Sequence, residues 1–306
     1  MALPKIIAVV GTNASGKSAV GLELARKFNG EILSADSRQI YRGFDLCSGK
    51  VTQEERLQVP HHLLDIKEIG EPFSVADFQS LAYALIPEIL SRGKLPFLVG
   101  GTGLYIGSVV RGYNMNEEPA DIALRETLET LTVDELRAKL TPEGKAFLAA
   151  RPSDFQNKRR IIRVLEKTAH GEPLNYENTP RYDVLQLGVT WPKELLAKRI
   201  EERLTARLEQ GMLGEVEAYL AAGGSRKYLY DLGLEYRYIL WYLTGKFSSR
   251  EEFCSELSRA IRQFAKRQMT WFRRDKSILW IDMADNPTAQ AEAAVREFLG
   301  QEQGEF

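Results

Sequence analysis

The sequence is poor in the residues that staple or metallate a fold. Its 306 residues include two cysteines, Cys47 and Cys254, and three histidines. That is too few for a disulfide framework or a zinc knuckle, and it suits a reducing compartment. No apolar run approaches the length of a membrane span. The segment Ile6–Val10, after the short start Met1-Ala2-Leu3-Pro4-Lys5, is too brief for the hydrophobic region of a signal peptide. A cytoplasmic protein with no membrane partner is expected. Neither charge sign dominates: 41 lysines and arginines stand against 42 aspartates and glutamates, so a polyanionic partner has to be read from local patches. Low-complexity tracts and internal repeats are also missing. What remains is an ordinary globular composition, 44% hydrophobic and 27% charged, in a chain long enough for more than one module.

Ile6–Val10 is a continuous apolar run closed by Gly11, the pattern of a parallel strand buried on both faces. A helix is expected from Lys17 to about Phe28, a second strand over Glu31–Ala35, and a helix within Pro72–Arg92 capped by Ser74. Leu95–Val99 reads as the next strand. After Gly112 helical patterns take over, and strand character returns at Val184–Thr190 and Ser277–Ile281. The expected fold is α/β: a P-loop parallel-sheet core, residues 1–113 and 184–306, carrying an inserted all-helical domain, residues 114–183.

Gly11-Thr12-Asn13-Ala14-Ser15-Gly16-Lys17-Ser18 matches G-x-x-x-x-G-K-[ST] in full, between a strand and a helix. Such a loop turns backbone N–H groups around a phosphate, and the helix N-terminus adds partial positive charge. Lys17 would reach the terminal phosphoryl group and the Ser18 hydroxyl would hold Mg²⁺. The motif specifies phosphate and leaves the reaction open.

Asp36 ends the second strand, the edge where parallel sheets bind ligands, and a doubly wound sheet would set it beside the P-loop strand. A metal ligand, a general base and a turn-forming aspartate are all compatible with that place. Ser37, Arg38, Gln39 and Tyr41 add hydrogen-bonding groups behind the same strand end. Gly100-Gly101-Thr102-Gly103 is a second strand-to-helix turn, either packed against the P-loop or offering Thr102 and its neighbouring N–H groups to the same phosphates.

Two helical faces are basic. One carries Arg159, Arg160, Arg163 and Lys167 opposite Ile161, Val164 and Leu165. The other carries Arg259, Arg262, Lys266 and Arg273, with Ile261, Phe264 and Phe272 on its packing side. A charged face is commonly only a solvated one, but two unbalanced basic faces in a near-neutral chain favour a polyanion. His61-His62 suit packing or a turn better than metal ligation.

Taken together, the P-loop, Asp36-Ser37-Arg38-Gln39-Ile40-Tyr41, Pro60–Ile66, Phe73–Phe78, Val99–Ile106, Arg159–Glu166 and Gln263–Arg274 resemble the tRNA dimethylallyltransferase (tRNA isopentenyltransferase) family. The resemblance covers nearly the whole chain. It implies transfer of a dimethylallyl group from its pyrophosphate to the N6 amine of an adenosine beside the tRNA anticodon, with Mg²⁺ and release of pyrophosphate. On that pattern Asp36 and Thr102 are the catalytic residues. Gly11, Asn13, Ala14, Ser15, Gly16, Lys17 and Ser18 bind the donor, with Ser18 on the metal. Asp36, Ser37, Arg38, Gln39, Arg159, Arg160 and Arg163 meet tRNA, and the protein would act as a monomer.

The chain departs from the family pattern at four places. Gly-Pro-Thr in the P-loop becomes Gly11-Thr12-Asn13, and Gly-Thr-Ala-Lys-Pro becomes Cys47-Ser48-Gly49-Lys50-Val51. Ile-Gly-Tyr becomes Leu234-Glu235-Tyr236, and Leu232 stands where an arginine or glutamine is usual. Two other readings stay open on the residues alone: a P-loop small-molecule kinase using ATP, and an RNA-binding paralogue that no longer transfers a prenyl group.

Overall fold

A computed structural model of the chain describes residues 2–115, 121–150, 152–174 and 178–300. They form two compact units, one built from the chain up to Gly112 and from Pro180 onward, the other from Tyr113–Thr179. The sequence-based boundary at 183 thus differs from the contact boundary by a few residues. Tyr182 is buried in the sheet's core and the Asp183 N–H donates to the Pro4 carbonyl at 2.9 Å.

In the first unit the chain runs through β1 (Lys5–Gly11), α1 (Lys17–Lys27), β2 (Gly30–Ser34), α2 (Asp45–Ser48), α3 (Gln53–Gln58), β3 (His61–His62), α4 (Val75–Ser91), β4 (Leu95–Gly100) and α5 (Gly103–Val110). The second unit holds α6 (Ile122–Glu129), α7 (Val133–Lys139), α8 (Pro142–Ala149), α9 (Pro152–Phe155) and α10 (Lys158–Ala169). The chain then returns through β5 (Asp183–Thr190), α11 (Lys193–Glu209), α12 (Met212–Ala221), α13 (Arg226–Leu232), α14 (Leu234–Leu243), α15 (Arg250–Phe272), β6 (Ile278–Asp282) and α16 (Pro287–Leu299).

The sheet is parallel throughout, in the order β3-β2-β4-β1-β5-β6. β1 explains its own apolar run: Ile6, Ala8 and Val10 enter the core under α4 and α5, while Ile7 and Val9 enter the core under α1 and α16. With both faces interior, alternation of polar and apolar residues disappears. A third cluster joins α11–α15 to Phe44 and Cys47, and it includes Ala14 of the P-loop. That packing carries two helices from the far end of the sequence up to the phosphate loop.

One expectation is corrected. β4 lies between β1 and β2, so Asp36 is one strand removed from the P-loop strand. His61 and His62 form a short edge strand, in which His62 Nε2 meets Glu31 Oε2 at 2.7 Å and His61 Nδ1 meets the Val59 carbonyl at 2.7 Å. The gap left by β4 is closed at Gly100. The Ala35 N–H donates to the Val99 carbonyl at 2.8 Å, and the Thr102 N–H donates to the Ala35 carbonyl at 3.2 Å. A Cβ on residue 100 would stand 2.1 Å from the Ala35 carbonyl oxygen, so glycine is what lets the end of β2 cross the end of β4.

The second unit is a small helical bundle whose helices begin at side-chain caps: Asp121, Thr132, Thr141 and Asn157 each accept an amide hydrogen of the first turn. Leu128, Leu136, Leu148, Ile161 and Leu165 form its core. Buried in it is Glu166, which receives Arg125 at 2.7 Å, Arg163 at 2.6 Å and the Asp121 N–H at 2.8 Å. Burial alone would raise this carboxyl's pKa; the two guanidiniums and the amide outweigh it and hold it below the usual range.

Replacement of Gly100 by alanine should cost roughly 1–3 kcal/mol or more, because the obstructing atoms are backbone and cannot swing aside. Urea unfolding measures it; an unchanged midpoint would mean that β2 and β4 do not meet this closely.

Candidate functional site

In the phosphate loop the Asn13 and Ser15 amides are hydrogen-bonded, and the carbonyls of Ala14 and Ser15 are engaged by the side chains of Arg199 and Trp191. Ala14 and Gly16 have positive φ, 60° and 90°, which reverses the chain twice and turns successive N–H groups to one side. Gly16 begins α1 without a side-chain cap, so the first-turn amides stay open to a ligand. On the outer side, Trp191 Nε1 donates to the Ser15 carbonyl at 2.9 Å and Arg199 Nε to the Ala14 carbonyl at 3.3 Å. Gly11 has no room for a side chain, since a Cβ would lie 2.6 Å from Ser15 Oγ.

α15 clamps the loop from above. Gln268 accepts the Asn13 N–H at 2.8 Å and donates to the Gly101 carbonyl at 2.9 Å, joining the P-loop to the second glycine turn through one side chain. Arg203 of α11 donates to Asn13 Oδ1 at 2.8 Å and to the Gly49 carbonyl at 3.4 Å. Lys17 Nζ lies 3.4 Å from the Thr12 carbonyl. Burial pushes the Lys17 ammonium down to about 8, with Arg203 and Arg207 adding to the effect and Asp36 opposing it. Arg203 is lowered to about 10, again chiefly by burial and then by Arg207. Cations have been brought together here ahead of any anion.

Asp36 faces this cradle. Its Oδ1 accepts the Arg38 N–H at 3.0 Å, which fixes the turn. The Ser37 N–H donates to Thr102 Oγ1 at 3.1 Å, so Thr102 is tied to the Asp36 loop. Gln39 is held between Ser34 Oγ, 2.8 Å, and the Gly49 carbonyl, 3.1 Å. The Arg38 side chain crosses Phe264 and Tyr236, with its guanidinium carbon 5.5 Å and 5.8 Å from their ring centres, and ends 2.8 Å from Glu235 Oε2.

These groups surround one cavity of about 230 Å³, lined by Asn13, Ala14, Gly16, Lys17 and Ser18 on one side and by Asp36, Ser37, Arg38, Gln39 and Thr102 on the other. Gly11 and Ser15 stand behind the wall. A depression of about 440 Å³ at the amino ends of the strands, around Lys27, Lys94 and Arg296, contains none of them. The cavity has little of a metal chelate: among the described residues no three His, Cys, Asp or Glu side chains come together. Its oxygen donors include the Ser18 hydroxyl and the Asp36 carboxylate, and the Ser15 hydroxyl is buried without a hydrogen-bond partner. That set fits an ion shared with phosphate oxygens, as Mg²⁺ commonly is.

Several lining residues were not singled out as site residues in the sequence: Arg199, Arg203, Glu235, Phe264 and Gln268. Phe264, read as packing, lines the cavity instead. The usable signal was spacing, because Phe264, Gln268 and Trp271 share one face of α15, and Arg199, Arg203 and Arg207 one face of α11. In the helical unit the three arginines divide. Arg159 and Arg160 are exposed on α10, whereas Arg163 is held by Glu166 at 2.6 Å and Glu172 at 3.4 Å. On α15, Arg259 pairs with Glu256 and Arg262 with Glu201, while Lys266 and Arg273 are exposed.

Comparison with known proteins gives one consistent result. The model of the family described as IPP transferase matches residues 39–275. A tRNA dimethylallyltransferase 2 of Citrifermentans bemidjiense is 40% identical over 94% of this chain and 94% of its own length. A tRNA dimethylallyltransferase of an Exiguobacterium species is 42% identical, covering 91% of this chain and 90% of the relative. Among solved structures, the full-length tRNA isopentenylpyrophosphate transferase of Bacillus halodurans superposes with a TM-score of 0.71 at 36% identity, over 97% of this chain and 95% of that one.

A lysine held at about 8 gives the cradle a pH signature. Lys17 would attract phosphate only when protonated, so its contribution would be full well below pH 8 and decline progressively as pH rises above it. In titrations with inorganic pyrophosphate, the affinity gap between the natural protein and Lys17→Met should be wide at neutral pH and narrow as pH rises past 8. A gap constant up to pH 10 would remove Lys17 from the cradle.

Proposed function

The chain belongs to the IPP transferase family, and from that premise we propose that it transfers a dimethylallyl group from dimethylallyl pyrophosphate to the N6 amine of an adenosine in the tRNA anticodon loop. The supporting observation is the single cavity in which a phosphate cradle faces a carboxylate. Among the described residues no lysine or arginine is ion-paired with Asp36, so that carboxylate remains available as a base.

The reaction breaks the allylic C–O bond and forms an N–C bond. The bonding pair leaves with pyrophosphate, the amine nitrogen supplies the new pair, and its proton passes to Asp36. Charge grows on the departing oxygens, where the P-loop amides, Lys17 and Arg203 stand. Ser18 would help hold Mg²⁺, which when bound would supply further charge offsetting that of the leaving group. Thr102 acts through the Ser37 amide, keeping the Asp36 turn against the cradle. The acceptor adenosine has to leave its stack to enter. The Phe264 ring and the planar Arg38 guanidinium offer it surfaces to lie against, and Gln39 a hydrogen-bonding edge. Arg159 and Arg160 serve tRNA phosphates, and Arg163 serves the fold of the helical unit.

Incubation with Mg²⁺, labelled dimethylallyl pyrophosphate and unmodified tRNA should yield prenylated adenosine, identified by mass spectrometry of the nucleosides. Asp36→Ala should bind donor yet turn over about 10²–10⁴-fold more slowly; equal turnover would refute the base. Label passing to a small molecule from ATP instead would favour a kinase.

Paired replacement of Arg159 and Arg160 by alanine should flatten the salt dependence of tRNA binding by up to about two phosphate contacts. Arg163→Ala should instead lower the unfolding midpoint and leave the salt slope unchanged. Equal effects on the slope from both variants would overturn this division.

A further inference from the structure

Glu235 is buried, 1% exposed, on the wall of the phosphate cavity. Its carboxylate meets Arg38 Nη1 at 2.8 Å through Oε2 and Arg207 Nη1 at 3.9 Å through Oε1. Arg207 is 8% exposed and packs against Gly49, where a Cβ would lie 1.9 Å from its Nη2 and 2.4 Å from that of Arg203. A side chain at 49 would therefore displace the Arg207 and Arg203 guanidiniums from their present places. Position 235 is also where the family pattern has glycine, and the arginine behind this carboxylate lies in the room that Gly49 leaves.

The charges on this wall are unequal. Lys17, Arg38, Arg199 and Arg203 line the cavity with Arg207 behind them, against the carboxylates of Asp36, Glu55 and Glu235. Glu235 is the one of the three bound to two of those guanidiniums. An anion fixed on the wall of an anion site does two opposite things. It stabilises the cations while the site is empty, and it repels the ligand when the site fills.

We propose that Glu235 is a built-in counter-anion that sets how tightly this site holds pyrophosphate, competing with it for the positive charge of Arg38 and Arg207. It limits the affinity for the donor's phosphates and hastens the departure of the product. The inference rests on the phosphate-cradle half of the proposed function and needs no prenyl transfer to be tested.

The sign of the effect separates this role from a structural one. Calorimetric titration of the full chain with inorganic pyrophosphate and Mg²⁺ should show binding about tenfold or more tighter in both Glu235→Gln and Glu235→Gly, the size expected for removing a unit charge a few ångströms from a dianion or trianion in a partly buried site. Inhibition of turnover by added pyrophosphate should strengthen in parallel. A merely structural Glu235 would give the reverse, weaker binding from a disordered wall. The double variant Glu235→Gly with Arg207→Met frees Arg38 just as Glu235→Gly does but leaves the net charge of the wall unchanged, so it should bind pyrophosphate much as the natural chain does. Unchanged or weakened binding in the single variants, or a double variant that binds as tightly as Glu235→Gly, overturns the proposal. If no form binds pyrophosphate, the cradle reading falls, and this inference with it.

Discussion

Lys17, Arg199 and Arg203 are gathered on the wall of one cavity with Arg207 behind them, and burial and mutual repulsion both act against that assembly. Lys17 and Arg203 carry the mark of it, both with weakened hold on their protons, chiefly from burial and further from neighbouring guanidiniums. Like charges brought together this way stay in place only where something rigid holds them. Here α11 does so, presenting Arg199, Arg203 and Arg207 from one helical face, and the P-loop carbonyls and Asn13 accept two of the three. The same contacts fix the Ala14 carbonyl and the Asn13 side chain of the loop. Positioning the arginines and orienting the loop are one structural event.

The acceptor side depends on that event through two narrow crossings. Asp36 belongs to a strand that does not touch the P-loop strand, and it reaches the cavity only because Gly100 lets the chain after β2 lie on the end of β4. Gln268 then ties the turn after β4 to the P-loop through Gly101 and Asn13. A carboxylate and a glycine-rich loop set behind separate strands are thus locked by a missing Cβ and one amide side chain. Small displacements of α15 would be felt by both, since Phe264 and Gln268 are on its inner face.

How much of this could be read from the chain follows from the range of the interactions. The P-loop is local: strand, loop and helix are contiguous, and residues 11–18 carry their own geometry. Asp36 and its turn are nearly so, and the two-sided burial of β1 is written in its unbroken apolar run. The strand order is not, because nothing in β2 or β4 says which pairs with β1. The clamp is the least legible part. Trp191, Arg199, Arg203 and Gln268 are far from residue 13 in sequence, and their polar side chains at helical spacing look like any solvated face until α11 and α15 are packed. The arginines of α10 show the same limit from the other side. Arg159, Arg160 and Arg163 read as one basic stripe, yet only the last has Glu166 buried beneath it, and burial is what sequence spacing does not report.

Gly49 and Glu235 show how two departures from a family pattern can be a single change. A side chain at 49 would push the Arg207 and Arg203 guanidiniums aside, and Arg207 beside Arg203 without a carboxylate would bury two cations on one side of a cavity already rich in them. Glu235 without Arg207 would place an anion against the phosphate site with only Arg38 to hold it. The three residues make sense as a set, and what the set adds is a second buried ion-pair layer behind the cradle. Such a layer does little for folding stability, since desolvation offsets most of its attraction. Its effect lies in the field at the cavity, where the phosphate oxygens would gather their charge.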